Sequence, residues 1–248
     1  MATPRKVTQT TRASPFGRKP PRVPLKRAVN AMDVMLLQEY CDIPLMKMAF
    51  FLGNYGQRYQ ELMQPGAQDQ PIRNASRALL VRTVIDMIND GRHFNPEYAL
   101  WDWALMWPRA PKFRELYETY LAHLGPKSEA VSKTRFSLFL GVGKHSSIRW
   151  EREDNDPHPI VEHLSVYLYA DIQERGALAI EEHVRRVKAE ALGRGFSSLD
   201  HLLRSGTWTN PADRKQRSEA TAKAKSAKAA LRKPRARKSA ASKQEVRA

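Results

Sequence analysis

Apolar residues recur at three- and four-residue spacing over 32–52, 72–88, 97–107, 113–124, 160–172 and 178–192. That spacing places them on one face of a 3.6-residue turn, so each stretch is predicted to be an amphipathic helix. Long alternating runs rich in β-branched residues, the mark of half-buried strands, are absent. The pattern predicts an all-α fold. Pro44, Pro71, Pro96, Pro111 and Pro159 stand near the heads of these stretches. Each suits a first helical turn, where the missing N–H would have had no partner. Gly193-Arg194-Gly195 follows the last stretch and reads as its cap.

The helical pattern also repeats, at an offset of 88 residues. The segment from Met46, "MKMAFFLGNYGQRYQELMQPGAQDQPIRNASRALLVRTVIDM", aligns without a gap on that from Thr134, "TRFSLFLGVGKHSSIRWEREDNDPHPIVEHLSVYLYADIQER". Phe51-Leu52-Gly53 falls on Phe139-Leu140-Gly141, Pro71-Ile72 on Pro159-Ile160, Leu80 on Leu168 and Val84 on Ile172. Identities are few, but an ungapped register through glycine and proline anchors favours duplication over chance. The chain is accordingly divided into a basic Pro-rich arm (1–28), a first helical repeat (29–108), a second (109–208) and a low-complexity tail (209–248). Both arms are expected to be disordered.

Within the second repeat, "FSLFLGVGKHSSIRW" (136–150) and Glu151 place a small residue, Ser137, four before a glycine, Gly141. A Trp-Glu pair stands nine and ten residues past that glycine. A small residue lets a second helix cross closely over the first, and glycine tolerates the positive φ that ends a helix in a tight turn. This stretch resembles the helix-turn-helix of Cro and lambda-repressor-type DNA-binding proteins. The likeness spans about forty residues and includes a Pro-containing turn into a further helix, "DPHPIVEHLSVYLYADI". Ser147 departs from that pattern, which has Val or Ile there, and Ile148 is the candidate to take over its packing. The first repeat carries a degenerate version, with Ala49 before Gly53, a turn Gly53-Asn54-Tyr55-Gly56, and Leu62 at the place of Trp150.

The resemblance implies a recognition helix whose first turn and outer face meet base edges. Those positions are Lys144, His145, Ser146 and Arg149 in the second repeat, and Asn54, Tyr55, Gln57, Arg58 and Gln60 in the first. Gln and Arg are side chains that bond bidentately to adenine and guanine. Arg152 and Arg73 are better placed for phosphate.

Charge changes the picture by its location. The total is +16, yet residues 1–30 carry +8 and residues 209–248 carry +10, leaving 31–208 at −2. A near-neutral globule between cationic arms assigns salt-dependent affinity for a polyanion to the arms and discrimination to the globule. The tail, "KQRSEATAKAKSAKAALRKPRARKSAASKQEVRA", has the spaced cations and helix-favouring Ala of histone-like tails, with Pro234 interrupting any helix.

The remaining features narrow the class. Cys41 is the single cysteine, which excludes an intramolecular disulfide framework and a cysteine-built zinc site. No run is long enough to span a membrane, and the N-terminus lacks a secretory apolar stretch. Prolines 4, 15, 20, 21 and 24 oppose a transit helix. His158 and His163 are five apart, the wrong spacing for two metal ligands on one helical face. No phosphate-cradling loop, nucleophile elbow or carboxylate pair argues for an enzyme, and none for a cofactor. Trp103 and Trp107 share a helical face with Leu100, which serves either core packing or a homodimer contact.

The expectation is a cytoplasmic, nucleoid-associated protein that binds double-stranded DNA by sequence, a bacterial transcriptional regulator or mobile-element protein. Two alternatives stand beside it. One is an architectural DNA-binding protein that works through its tails. The other is a helical adaptor for RNA or acidic partners.

Overall fold

Ten helices, and no strand, are found among the residues described by the computed structural model. These are residues 19–53, 56–62, 64, 66–91, 110–125, 130–152 and 156–209, without the side chains of 56–58. The helices are α1 (Ala31–Tyr40), α2 (Leu45–Phe51), α3 (Gly56–Leu62), α4 (Ala75–Asn89), α5 (Phe113–Ala122), α6 (Lys133–Phe139), α7 (Ser146–Glu151), α8 (Pro159–Arg175), α9 (Ala177–Gly193) and α10 (Leu199–Ser205). The chain divides into two units, Met1–Trp208 and Thr209–Ala248. All ten helices lie in the first, so the segments 29–108 and 109–208 share one unit. Pro96, the stretch 97–107 and its three tryptophans lie outside the described residues.

Mutual packing of α4, α8 and α9 makes the centre. Every residue of α4 from Ala75 to Ile85 except Arg77 is buried, as suits a helix enclosed on all sides. Its Leu79, Leu80 and Val84 join Leu164, Leu168 and Ile172 of α8 and Ile180 and Val187 of α9 in one core.

Side-chain caps mark the heads of α1, α4, α8 and α10. Asn30 and Asp33 form a reciprocal capping box at the head of α1. Pro159 occupies the first turn of α8, as expected, behind His158, whose ring accepts from Ile160 N. Pro71 does not open a helix. It pairs with Asn30 in an isolated β-bridge, and α4 starts later because the Asn74 side chain caps Arg77 N at 3.1 Å. Pro111 also lies outside its helix, which begins at Phe113 behind Lys112.

Residues 21–28, read from sequence as the end of a disordered arm, are held on the folded unit through Pro21, Val23 and Ala28, while Arg22, Pro24, Leu25 and Lys26 stay exposed. Val23 lies against the core and Ala28 is buried. The cause is a buried ion pair, Arg82 of α4 with Glu190 of α9 at 3.2 Å. Buried ions need further partners, and the backbone of residues 23–29 supplies them. Arg82 donates to the carbonyls of Val23, Pro24 and Arg27, and Val29 N donates to Glu190. Gly193 lets this strand of backbone approach, since a Cβ there would run into Arg27 and Ala28.

Candidate nucleic-acid interface

The helices α2 and α6 occupy 45–51 and 133–139, the same positions at the 88-residue offset. Each ends at a leucine, Leu52 or Leu140, followed by a glycine with positive φ, +60° at Gly53 and +77° at Gly141. The glycines are needed for close approach as well as for φ. A Cβ on Gly53 would lie 3.1 Å from Ile160 N, at the head of α8, and one on Gly141 would collide with the backbone of Ala75 and Ser76, at the head of α4. Each turn is therefore seated on the long helix of the other half.

The carbonyls that a helix end leaves open are closed by side chains in both places, three of them buried and Arg77 half-buried. His163 Nδ1–H donates to Phe51 O at 2.7 Å and Arg77 Nε to Leu52 O at 2.8 Å. In the other half, His183 Nε2–H donates to Phe139 O at 2.9 Å and Ser76 Oγ to Leu140 O at 2.6 Å. Because a carbonyl only accepts, both rings carry the proton on the bonded nitrogen. Burial lowers the pKa of both imidazoles, that of His183 to about 4 with help from nearby Arg186. Sequence spacing does not disclose these two histidines, since each acts on a residue 44 or more positions away.

In the second half the small residue Ser137 is fully buried, with Oγ 2.8 Å from Thr134 O and 3.1 Å from Gly143 O. The helix α7 then lies across α6 and α5. Trp150 packs on Phe113 at 5.4 Å between ring centres, and Phe113 contacts Phe136, which meets Tyr117 and Tyr120 at tilted angles. Lys133 and Glu151 form an ion pair at the far end of α7.

Ile148 does not take over the packing role. It is 36% exposed, whereas Ser147 is 1% exposed and bonds through Oγ to Lys144 O. The equivalent of Ser147 in α3 is Tyr59, wholly buried with its hydroxyl 2.5 Å from Gln38. The inward position is thus the same in both halves, and the ring cluster around Trp150 provides the bulk that Ser147 lacks.

Of the sequence-derived candidates, Lys144, His145, Arg149 and Arg152 are exposed and Ser146 is half-buried, all on or beside α7. Gln60 on α3 and Arg73 before α4 are exposed too. Asn54, Tyr55 and the side chains of Gln57 and Arg58 lie outside the described residues. Residues 133–152 hold five Lys or Arg (133, 135, 144, 149, 152) against Glu151 alone. Residues 45–64 hold Lys47 and Arg58 against Glu61, and α2 exposes Leu45, Met46 and Phe50. The second half is therefore the more cationic of the two.

Three residues outside the sequence-derived candidates are joined to this site. Gly206 O accepts from Lys144 N at 3.1 Å, Trp208 Nε1 donates to Leu138 O at 2.9 Å, and Arg194 lies 5.7 Å from the Trp208 ring centre. No group of three metal-binding side chains occurs among the described residues, and none of their helices is long and apolar enough to cross a membrane.

These elements define a helical protein with a short helix, flanked by Lys144 and Arg152, bedded on an aromatic cluster. No family model, curated protein or solved structure matches the chain.

Proposed function

We propose that this chain binds double-stranded DNA by sequence through two helix-turn-helix-like units, with α7 as the principal reading helix. The observation that carries the proposal is the row Lys144, His145, Arg149 and Arg152. It is exposed at the start and on the outer face of a helix whose inner face is fixed by Ser147 and Trp150. Such a helix presents donors to guanine and to phosphate at little further ordering cost. The first unit is the weaker reader, because apolar Leu45, Met46 and Phe50 stand on the surface of α2. The cationic segments 1–30 and 209–248 add sequence-independent attraction to the phosphate backbone. A transcriptional regulator is the role that best suits a discriminating core with such arms.

The test is binding of the full chain to a duplex it selects from a randomised pool, against mixed-sequence duplex, across a salt series. Arg149→Ala and Lys144→Ala should each cost about 1–3 kcal/mol on the selected duplex and relax preference at a few bases. An equal loss on every sequence would make both residues phosphate contacts and favour an architectural role. Absence of any preference in the wild-type chain would remove the proposal.

A further inference from the structure

Resting on the reading role of α7, we infer that α10 and its C-terminal cap are a positioning device, in which Gly206 and Trp208 set the path of the Lys144 side chain. The helix α7 has six residues and no side-chain cap at its head, where His145 stands. A helix this short does not hold itself, so its orientation is imposed by what it touches. Its far end is held by Trp150 and by the Lys133–Glu151 pair. At its near end, just before its first residue, Lys144 N donates to Gly206 O.

Gly206 also shapes the side chain. It adopts the left-handed conformation (φ +67°) that closes α10, and a Cβ there would lie 2.6 Å from Lys144 Cδ and 3.0 Å from Cε. The aliphatic stem of Lys144 thus runs over the bare face of Gly206, which leaves its ammonium to project beyond. Any side chain at 206 displaces the stem, while the Lys144 backbone is untouched.

Trp208 anchors this cap. It is buried, its indole N–H is bonded to Leu138 O on α6, and Arg194 packs over its ring. Arg194 is itself held by Glu190 at 2.9 Å and by Ile72 O at 2.6 Å. A chain of contacts therefore runs from the approach to α4, through Arg194 and Trp208, to the residue that begins the reading surface. Gly206 and Trp208 touch no DNA in this scheme; they act through Lys144.

The experiment compares full-length wild type, Gly206→Asn, Lys144→Ala and the double variant on the selected and mixed-sequence duplexes. Asn is chosen because it tolerates left-handed backbone yet carries a Cβ. Gly206→Asn is expected to lower the selected-to-mixed affinity ratio about tenfold while affinity for mixed duplex and its salt slope stay as in wild type. In the Lys144→Ala background the same substitution should cause no further loss, as two changes acting through one side chain do not multiply. Should Gly206→Asn melt too low to assay, Trp208→Phe keeps an aromatic side chain but removes the bond to Leu138 O, and is expected to lower the ratio in the same way. An unchanged ratio in the variants, or losses that multiply, would overturn the inference while leaving the DNA-reading role intact. A wild-type chain that prefers no duplex would overturn both.

Discussion

His163 and His183 close the last carbonyls of α2 and α6 as neutral, proton-donating rings. A buried imidazole whose folded pKa is depressed stabilises the fold fully above its unfolded value near 6.5. That stability is lost as pH falls from 6.5 toward the folded value. For His183, with a folded value of about 4, the loss at pH 5 is about 2 kcal/mol. Urea unfolding at pH 7.5 and pH 5 should show the drop, and His183→Gln should shrink it by most of that amount. An unchanged pH dependence in the variant would show that the ring does not titrate this way. Little at this scale is legible from sequence. Periodicity identifies which face of α9 is inward, but nothing local says that His183 meets Phe139. Ser147 illustrates the converse, since residue type pointed to Ile148 while the helical phase, set by Trp150 and the ring cluster, turned Ser147 inward.

At the scale of elements, the two turn glycines should differ in cost although their φ values are alike. Gly141→Ala combines left-handed strain with backbone overlap at Ala75 and Ser76, and should cost about 3–4 kcal/mol. Gly53→Ala meets Ile160 and His158 at 3.1–3.3 Å and should cost about 2 kcal/mol. Gly66→Ala, with positive φ and nothing within 4 Å, isolates the backbone term at about 1 kcal/mol. Denaturant midpoints of the three variants check the order, and equal losses would assign the whole effect to φ. The ends of α2 and α6 are legible, because a glycine after a helical run is a local signal, but the stretch 32–52 is broken into α1 and α2 at Asp42, whose φ is positive. Pro71 and Pro111 precede the true starts of α4 and α5, at Ala75 and Phe113. The Asn74 side-chain cap sets the start of α4 and Pro71 is bridged to Asn30, whereas α5 begins at Phe113 behind Lys112 with no side-chain cap. The role of α10 was not foreseeable, for its contacts reach across sixty residues to Lys144.

Over the whole molecule, the inner end of the N-terminal arm belongs to the folded unit. Removing residues 1–18 takes away four cations and should reduce the salt-dependent part of duplex binding. Removing residues 1–28 strips three carbonyls from buried Arg82 and uncovers Gly193, and should cost about 3 kcal/mol or more. Comparison of chains starting at 19 and at 29 separates the two effects, and identical melting of the pair would refute the anchoring role of 23–28. The charge division between arms and core was plain from composition, whereas the anchor was hidden because it depends on Arg82 and Glu190, distant in sequence and both uncommonly buried.

The reciprocal seating of the turns carries a temporal consequence. Gly141 meets Ala75 and Ser76, residues made before it, but Gly53 must wait for Ile160, about 107 residues later. At ordinary rates of translation that wait is roughly 5–20 s. Through that interval the nascent first half lacks both the head of α8 and His163, the proton donor to Phe51. Its end of α2 is an unfinished surface on the ribosome, and the two halves complete one another only once the chain has grown past α8.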